Sequence, residues 1–588
     1  MRTIKNFLFV LKEIYVLQKS YLVVNFFYVV FASMKPISSA LVIKIVIDGL
    51  IEDVELRENL NVILLYLLLI SSIEILQTIL GKYLNEILST KLKDKLKLKF
   101  CDKVKHIDNS AYENPEYYNV MTRTMANGDS RYIAVSDTFF NFFGSILVIT
   151  GLTSLIIVLN ITLIYSVLIF VVLKIIISSL IKKLTFDEYI SLTRSNRYID
   201  YFTRLFRLPT FINEIKLFPL EDVIRQKHID ESNQRLLMKM KFKGKQNIYN
   251  VLNNVIDVSF MGFVIIFLVI EIGNNRSSVG DFAALMNSTQ QLGMSLVSFL
   301  LIIPNLKEHN RYINDMKSFL EYKGEIETNN GENLTTIDKI EFKDVSFCYP
   351  NTQSNSLNNI NITIHKGSKI ALVGHNGAGK STLIKLILRF FDPVTGVILI
   401  NDKNLKLYNA NSYRNHFGVI FQNYQVYSLS IEENILLRTI NSDERIDVLW
   451  ESLNLVELAD KVNSLPLKEK TILSKEFSEQ GTILSGGEQQ KVAIARLYSI
   501  NKDVVILDEA SSALDPYTEH KINNMLLDSF KDKTVIIISH RLSITKNVDK
   551  IFMIENGNII EQGNHKELIK MSGGKYAEMY NLQANNYK

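Results

Sequence analysis

Six stretches in the first half of this chain are long and apolar enough to cross a lipid bilayer, and no other feature restricts its possible folds so severely. A crossing helix needs about 20 predominantly apolar residues. The stretches run approximately Tyr21–Ile47, Asn59–Asn85, Thr138–Leu159, Thr162–Ile181, Asn247–Ile272 and Phe282–Pro304. In hydrocarbon every backbone N–H and C=O must find a partner within the protein, so runs of this length predict helices. The rest of the 588 residues carries no comparable run. A hydrophobic content of 47 % is ordinary for a soluble protein and conceals this division. The pattern predicts a multidomain chain in which an all-α membrane part precedes a soluble part.

Local composition sets the boundaries. Residues 1–20 mix Lys and Arg with Phe7, Leu8, Leu11, Ile14 and Tyr15. That spacing gives one apolar helical face, and the segment reads as an interfacial helix lying on the membrane. A transmembrane domain is expected over 21–320, a linker over 321–337 containing Asn329-Asn330-Gly331, and a second domain over 338–588. Lys91, Lys93, Lys95, Lys97, Lys99, Lys103 and Lys105 follow the second apolar run, and Lys182 and Lys183 follow the fourth. The loops after the first, third and fifth runs are short, and the first is acidic at Glu52, Asp53 and Glu55. By the positive-inside rule both termini are cytoplasmic. The long inner stretches, about Leu88–Asp137 and Lys182–Gln246, are charged and helix-compatible, which predicts stalks that continue the membrane helices.

Charge and cysteine usage exclude other classes. The net charge of +5 is modest, and the basic residues sit beside apolar runs, so a membrane surface is expected as partner and nucleic acid is not. Cys101 and Cys348 make neither a disulfide framework nor a metal site. Met1–Ser20 lacks a small-residue cleavage site, so no cleavable secretory signal is expected. Abundant Ile, Asn and Lys beside nine Pro match the composition of an AT-rich bacterial genome, which makes the bacterial cytoplasmic membrane the expected location.

Within the apolar runs, Lys35, Glu74, Asn253, Asn254, Asp257, Asn287, Gln290 and Gln291 are costly if they face lipid. Each marks either a functional site or an interhelical pair. Together they predict a wet internal cavity. Pro36 is expected to kink the first helix beside Lys35.

The soluble part carries the chemistry. Gly374-His375-Asn376-Gly377-Ala378-Gly379-Lys380-Ser381-Thr382 fits the phosphate-loop pattern G-x-x-x-x-G-K-[ST]. The apolar run Ile370–Val373 precedes it and the helix-compatible Leu383–Leu388 follows, which is the strand–loop–helix setting the motif requires. Such glycines let backbone N–H groups turn inward on an anion, and the helix N-terminus adds partial positive charge. Lys380 is expected to reach the β- and γ-phosphates, and the Ser381 hydroxyl to ligate Mg²⁺. Val504–Asp508 reads as a buried strand ending in the carboxylates Asp508 and Glu509. An Asp at this place holds Mg²⁺, and a neighbouring carboxylate can orient or deprotonate water. Leu484-Ser485-Gly486-Gly487-Glu488-Gln489-Gln490 is a glycine turn opening a helix, a second potential anion-binding terminus. By spacing alone, Tyr349 is an ordinary strand tyrosine and His540 a structural histidine.

In order and spacing, the phosphate loop, Leu484–Gln490, Val504–Glu509, Ser512-Ala513-Leu514-Asp515 and His540 resemble an ATP-binding-cassette (ABC) ATPase. With the six spans, nearly the whole chain resembles an ABC exporter half-transporter: a six-helix transmembrane domain fused to an α/β P-loop ATPase. The resemblance implies a dimer holding two ATP molecules, each between one chain's phosphate loop and the other chain's signature. Gly374, Asn376, Gly377, Gly379, Lys380, Ser381 and Thr382 would then bind the phosphates, Ser485 and Gly487 would cap the γ-phosphate in trans, and Tyr349 would stack on adenine. Gln422, in Ile420-Phe421-Gln422-Asn423, would contact Mg²⁺ and the membrane domain; Asp508 and Ser381 are the other implied Mg²⁺ ligands. Glu509 would be the catalytic base, His540 would hold the γ-phosphate and attacking water, and Asp515 would link the two sites. Gln480 and Glu488 depart from the residues frequent at their positions, without removing a phosphate contact. A homodimer is expected, with a heterodimer as the alternative.

Fusion of membrane and ATPase parts in one chain resembles the exporter branch, and no peptidase domain is expected ahead of the spans. Ser110–Asn119 and Phe211–Phe218, in the inner stretches, look similar to peptidase-free exporters of lantibiotics and other modified peptides. A modified peptide is therefore the expected cargo, with a multidrug or lipid exporter as the alternative. An intact ATP site speaks against a non-transporting sensor, and the six spans against a soluble ATPase of the same superfamily.

Overall fold

The computed structural model describes residues 2–51, 56–207, 209–274, 276–324, 326, 331–350, 352, 354–439, 447–509, 525–526, 528–539 and 542–585. The chain forms two compact units. The first comprises Met1–Lys103 and Val120–Glu321, and the second Val104–Asn119 and Tyr322–Lys588. The short segment Val104–Asn119, which the sequence sets inside the first stalk, thus belongs with the second unit.

Long helices build the first unit: α1 (Arg2–Ile51), α2 (Leu56–Gln77), a π-helical turn (Thr78–Leu84), α3 (Asn85–Val104) and, beyond the short α4 (Ser110–Glu113) of the second unit, α5 (Pro115–Asn160) from Val120 onward. The helices α6 (Thr162–Arg207), α7 (Pro209–Leu217), α8 (Leu220–Gly273), α9 (Val279–Leu300) and α10 (Ile302–Glu321) complete it. Apolar stretches run on without a break into charged helix, as in α6, whose apolar stretch Thr162–Thr185 continues to Arg207. Among the described residues, five helical stretches are long and apolar enough to cross a membrane, lying in α1, α2–α3, α5, α6 and α8. The sixth expected span forms helix α9, but Asn287, Ser288, Thr289, Gln290 and Gln291 dilute its apolar character. Ser288 and Thr289 donate their hydroxyls to the carbonyls of Ala284 (2.7 Å) and Leu285 (2.8 Å) of the same helix, which hides that polarity.

Pro36 sits inside α1, and the helix departs from helical dihedrals at Gln18, near the boundary that the sequence predicts between an interfacial helix and a first span. At the π-turn, a Cβ on Gly81 would come within 2.5 Å of the Tyr28 ring, so glycine permits the close approach of α1 there. Phe170 and Phe260 stack at 4.2 Å within a core that includes Leu152, Ile156, Val264 and Leu285.

Several intramembrane polar residues pair between or along helices. Lys35 Nζ meets Glu74 at 2.5 Å, Lys174 Nζ meets Asp257 at 2.7 Å, and Gln291 donates to Asn287 at 2.6 Å. Pairing relieves the cost of holding a charge among apolar helices. A cavity of about 560 Å³ does exist in this unit, lined by other groups: Ser33, Asn141, Ser145, Ser295, Ser298 and Asn305 contribute its hydroxyls and amides.

The second unit contains two sheets. One has the order β2-β1-β4-β5, from β1 (Lys339–Phe347), β2 (Leu357–His365), β4 (Thr395–Ile400) and β5 (Lys403–Asn404). The other has the order β10-β9-β3-β8-β7-β6, from β3 (Lys369–Val373), β6 (Phe417–Ile420), β7 (Val504–Asp508), β8 (Thr534–Ile538), β9 (Lys550–Glu555) and β10 (Asn558–Gly563). Strands β6, β7, β8, β3 and β9 run parallel, with β10 antiparallel at the edge. Strands β7 and β8 are buried along their full length, which matches their unbroken apolar sequences. In a parallel sheet of this kind, ligands bind beyond the carboxyl ends of the strands.

Candidate functional site

The phosphate loop leaves β3 at Gly374 and enters helix α11 (Lys380–Ile387). Gly379 is the N-cap with φ +108°, in the left-handed region that glycine tolerates. A Cβ on Gly374 would lie 2.1 Å from the Ile554 carbonyl oxygen, so no side chain fits where the loop crosses β9. The hairpin Asn556–Gly557 between β9 and β10 supports the loop from below, and the Gly557 N–H donates to the Ala378 carbonyl at 3.0 Å. Both hairpin residues have positive φ, +49° and +76°, as a tight primed turn demands.

Above the loop lies a cavity of about 650 Å³. Asn376, Gly377, Gly379, Lys380, Ser381, Thr382, Gln422, Asp508 and Glu509 line it, which brings most of the expected nucleotide residues into one place. Lys380 is buried, and its Nζ donates to the carbonyls of Gly374 (2.7 Å) and His375 (2.9 Å). Burial draws the Lys380 ammonium below its ordinary value, against the opposing pull of Glu509 and Asp508. Asp508, at the end of β7, is buried too, and desolvation together with the Glu509 charge pushes its pKa up to about 6 although Lys380 works the other way.

Glu509 adopts φ +50°, rare for a residue with a side chain, and donates its N–H to the Ile538 carbonyl at 2.9 Å. Gln422, just past β6, donates from Nε2 to Glu509 Oε2 at 2.9 Å, across 87 positions of sequence. Backbone strain of this kind costs about 1–3 kcal/mol and aims the carboxylate of Glu509 into the cavity. For a divalent cation the cavity supplies the Asp508 carboxylate, the Ser381 hydroxyl and the Gln422 amide, hard oxygen donors that suit magnesium completed by phosphate and water. No group of three or more His, Cys, Asp or Glu able to cage a metal occurs among the described residues.

Tyr349 stands beside this cavity, with its hydroxyl 3.1 Å from Thr382 Oγ1. Its ring meets Phe347 and Phe391 edge-on at 5.1 and 5.5 Å. Ser485 does not line the same chain's cavity. It caps the helix Gly486–Ile500 in a capping box, accepting from the Glu488 N–H while Glu488 accepts from the Ser485 N–H. Gly487 lies in the first turn of that helix. Glu488 also pairs with Lys461 at 2.5 Å, so its departure from the frequent glutamine has a structural use. Burial would raise the Glu488 carboxyl, but the bonds from Lys461 and Ser485 hold it below the ordinary range. Asp515 and His540 lie outside the described residues.

Sequence reading missed Ser354, Asn355, Ser356, Asn556 and Gly557 as lining residues, and Tyr424, whose hydroxyl donates to the Gly486 carbonyl at 3.0 Å. Of these only Asn556-Gly557 carried a signal, an Asn-Gly pair between two strand-like runs.

Residues 357–512 match the family model described as ABC transporter, and the chain accordingly carries an ABC transporter domain. The whole fold is that of an ABC exporter: a solved structure of a bacterial Atm1-family ABC exporter with ATP bound superposes with a TM-score of 0.78, at 20 % identity, over 96 % of this chain and 98 % of that one. Among curated relatives, the subtilin transport ATP-binding protein of Bacillus subtilis is 33 % identical over 366 residues, covering 61 % of this chain and 58 % of the relative. A sophorolipid transporter of Starmerella bombicola is 33 % identical over 331 residues, or 56 % of this chain and 24 % of the relative. The matches thus span 58 % and 24 % of these relatives' own lengths, less than two thirds of each. Together with its apolar helices, this similarity makes the chain a multi-pass membrane protein.

Proposed function

We propose that the chain is half of an ATP-driven exporter that moves a modified peptide or related amphipathic molecule out of a bacterial cell, with both termini in the cytoplasm. The observation that carries this reading is the convergence of Lys380, Asp508, Glu509 and Gln422 on one cavity while Ser485 and Gly487 lie outside it. A phosphate site lined on one side, with the signature helix turned to other business, suits closure by a second copy. Two chains then enclose two ATP molecules, and a homodimer is the simplest assembly. Lys380 neutralises phosphate charge, loop amides orient the chain of phosphates, and Tyr349 stacks the base. Glu509 takes a proton from the attacking water, with Gln422 holding its Oε2 until substrate competes for that contact. His540 steadies the γ-phosphate, and Asp515 links the two sites. Asp508, Ser381 and Gln422 would hold Mg²⁺, which neutralises charge on the transferred phosphoryl group when bound.

The membrane unit favours a peptide over a flat drug. Its cavity sets hydroxyls and amides, which solvate peptide bonds, beside apolar walls from Tyr28, Val29, Val148, Leu301 and Ile302, a mixed lining that suits an amphipathic peptide. The subtilin relative supports this cargo class, and the sophorolipid relative keeps a lipid exporter as the second reading. Nucleotide closure and cargo binding communicate only through differential affinity for inward and outward states. Purified protein in lipid vesicles tests the reading. ATPase activity should rise with a modified peptide and fall by about 10²–10⁴-fold in Glu509→Gln, which retains ATP binding. Stimulation and vesicle uptake with drugs or lipids and none with peptide would reassign the cargo, and wild-type turnover in Glu509→Gln would remove Glu509 as the base.

A further inference from the structure

We propose that Glu113 and Lys385 position Tyr349 for base stacking, so that the segment joining α3 to α5 senses whether a purine is bound. The inference rests on the reading of Tyr349 as the adenine platform. Lys385 projects from α11, the helix that begins at the phosphate loop. Its Nζ lies 4.8 Å from the centroid of the Tyr349 ring and 5.6 Å from that of Phe391, within the range in which a ring quadrupole attracts a cation. The same Nζ is 3.4 Å from Glu113 Oε1, at the last residue of α4. One ammonium thus joins the α4 carboxylate to the ring, and the ring hydroxyl joins Thr382 of the phosphate loop.

Glu113 is not what anchors its segment. Asp108 accepts from the Tyr322 hydroxyl at 3.2 Å and from the Ile326 N–H at 3.4 Å, and Tyr117 packs on Tyr322 with ring centroids 4.0 Å apart. Those contacts leave Glu113 free to act on Lys385 without holding the segment in place. Removing Glu113 releases the ammonium to water and loosens one restraint on the Tyr349 ring. By reciprocity, a base stacked on Tyr349 strengthens the seating of Glu113 on Lys385 by the same factor. A chain segment continuous in sequence with two membrane helices thereby gains a contact whose strength depends on nucleotide.

The test compares binding of ATP with binding of inorganic tripolyphosphate, both with Mg²⁺, to the purified full chain. Tripolyphosphate engages the phosphate loop and has no base. Lys385→Gln should weaken ATP about two- to five-fold, the size of an exposed cation–π contact, and leave tripolyphosphate unchanged. Glu113→Gln should act in the same direction with a smaller factor, and Lys385→Arg, which keeps the cation, should restore ATP binding. Equal weakening of both ligands would overturn the proposal, because it would mean that Lys385 merely supports α11. Tyr349→Ala separates the two levels of the reading. If it leaves ATP binding unchanged, the adenine platform itself falls; if it weakens ATP while Lys385→Gln does not, only the role of Glu113 and Lys385 falls.

Discussion

Asp508→Asn should make the nucleotide-free protein more stable while abolishing its activity. The Asp508 carboxyl rises from an ordinary 3.8 to about 6 because it is buried at the end of β7 beside Glu509. Its folded-state pKa exceeds its unfolded value, so between those two values the folded chain binds more protons. Stability from this group is therefore complete below about pH 4 and is lost as pH climbs through about 6. A shift of about two units amounts to about 3 kcal/mol of ionisation cost at pH 7, and about half of that at pH 5. Asparagine keeps the shape and carries no charge to bury. Thermal unfolding of purified, nucleotide-free protein should show Asp508→Asn melting several degrees above wild type at pH 7, with the gap narrowing toward pH 5. ATPase activity should be lost at every pH, since a neutral amide is a poor ligand for Mg²⁺. A variant that melts at or below wild type at pH 7, or a gap that does not shrink on acidification, would refute the argument that burial of this charge is the strained feature of the site.

Two further expectations follow from the same geometry. Gly379→Ala should destabilise the soluble unit by about 1–2 kcal/mol from its left-handed backbone alone and suppress nucleotide binding, whereas Gly486→Ala, where an added Cβ meets nothing within 4 Å, should fold as wild type. Nucleotide-binding and melting assays of both variants distinguish the two cases. For topology, single cysteines at Asn160 and Asn274 in a background without Cys101 and Cys348 should react with an impermeant thiol reagent on intact cells, and one at Asn359 should not; the opposite labelling would invert the orientation.

Much of this protein is written in short-range pattern. Apolar runs with basic flanks predict membrane helices because hydrocarbon leaves the backbone no other way to satisfy its hydrogen bonds. The glycines of 374–379 predict a phosphate loop because only they allow its backbone, and Val504–Asp508 predicts a strand ending in carboxylates because a β-strand between helices is apolar on both faces. Each signal spans fewer than about 30 residues and needs no knowledge of what lies beside it. What pairs with what is decided elsewhere. Gln422 meets Glu509 because the sheet sets β6 beside β7, and Asn556–Gly557 supports the phosphate loop because β9 lies beside β3. Strand order is a property of the packed sheet and leaves no periodic trace in the chain. The polar residues of the membrane helices show the same limit. Lys35 and Asp257 read as cavity groups one at a time, yet helix rotation aims them at Glu74 and Lys174, and small hydroxyls such as Ser33 and Ser145, individually unremarked, line the cavity instead. A sequence states which groups must find partners; only the tertiary structure chooses them, because the choice depends on which faces the packed helices and strands turn toward one another.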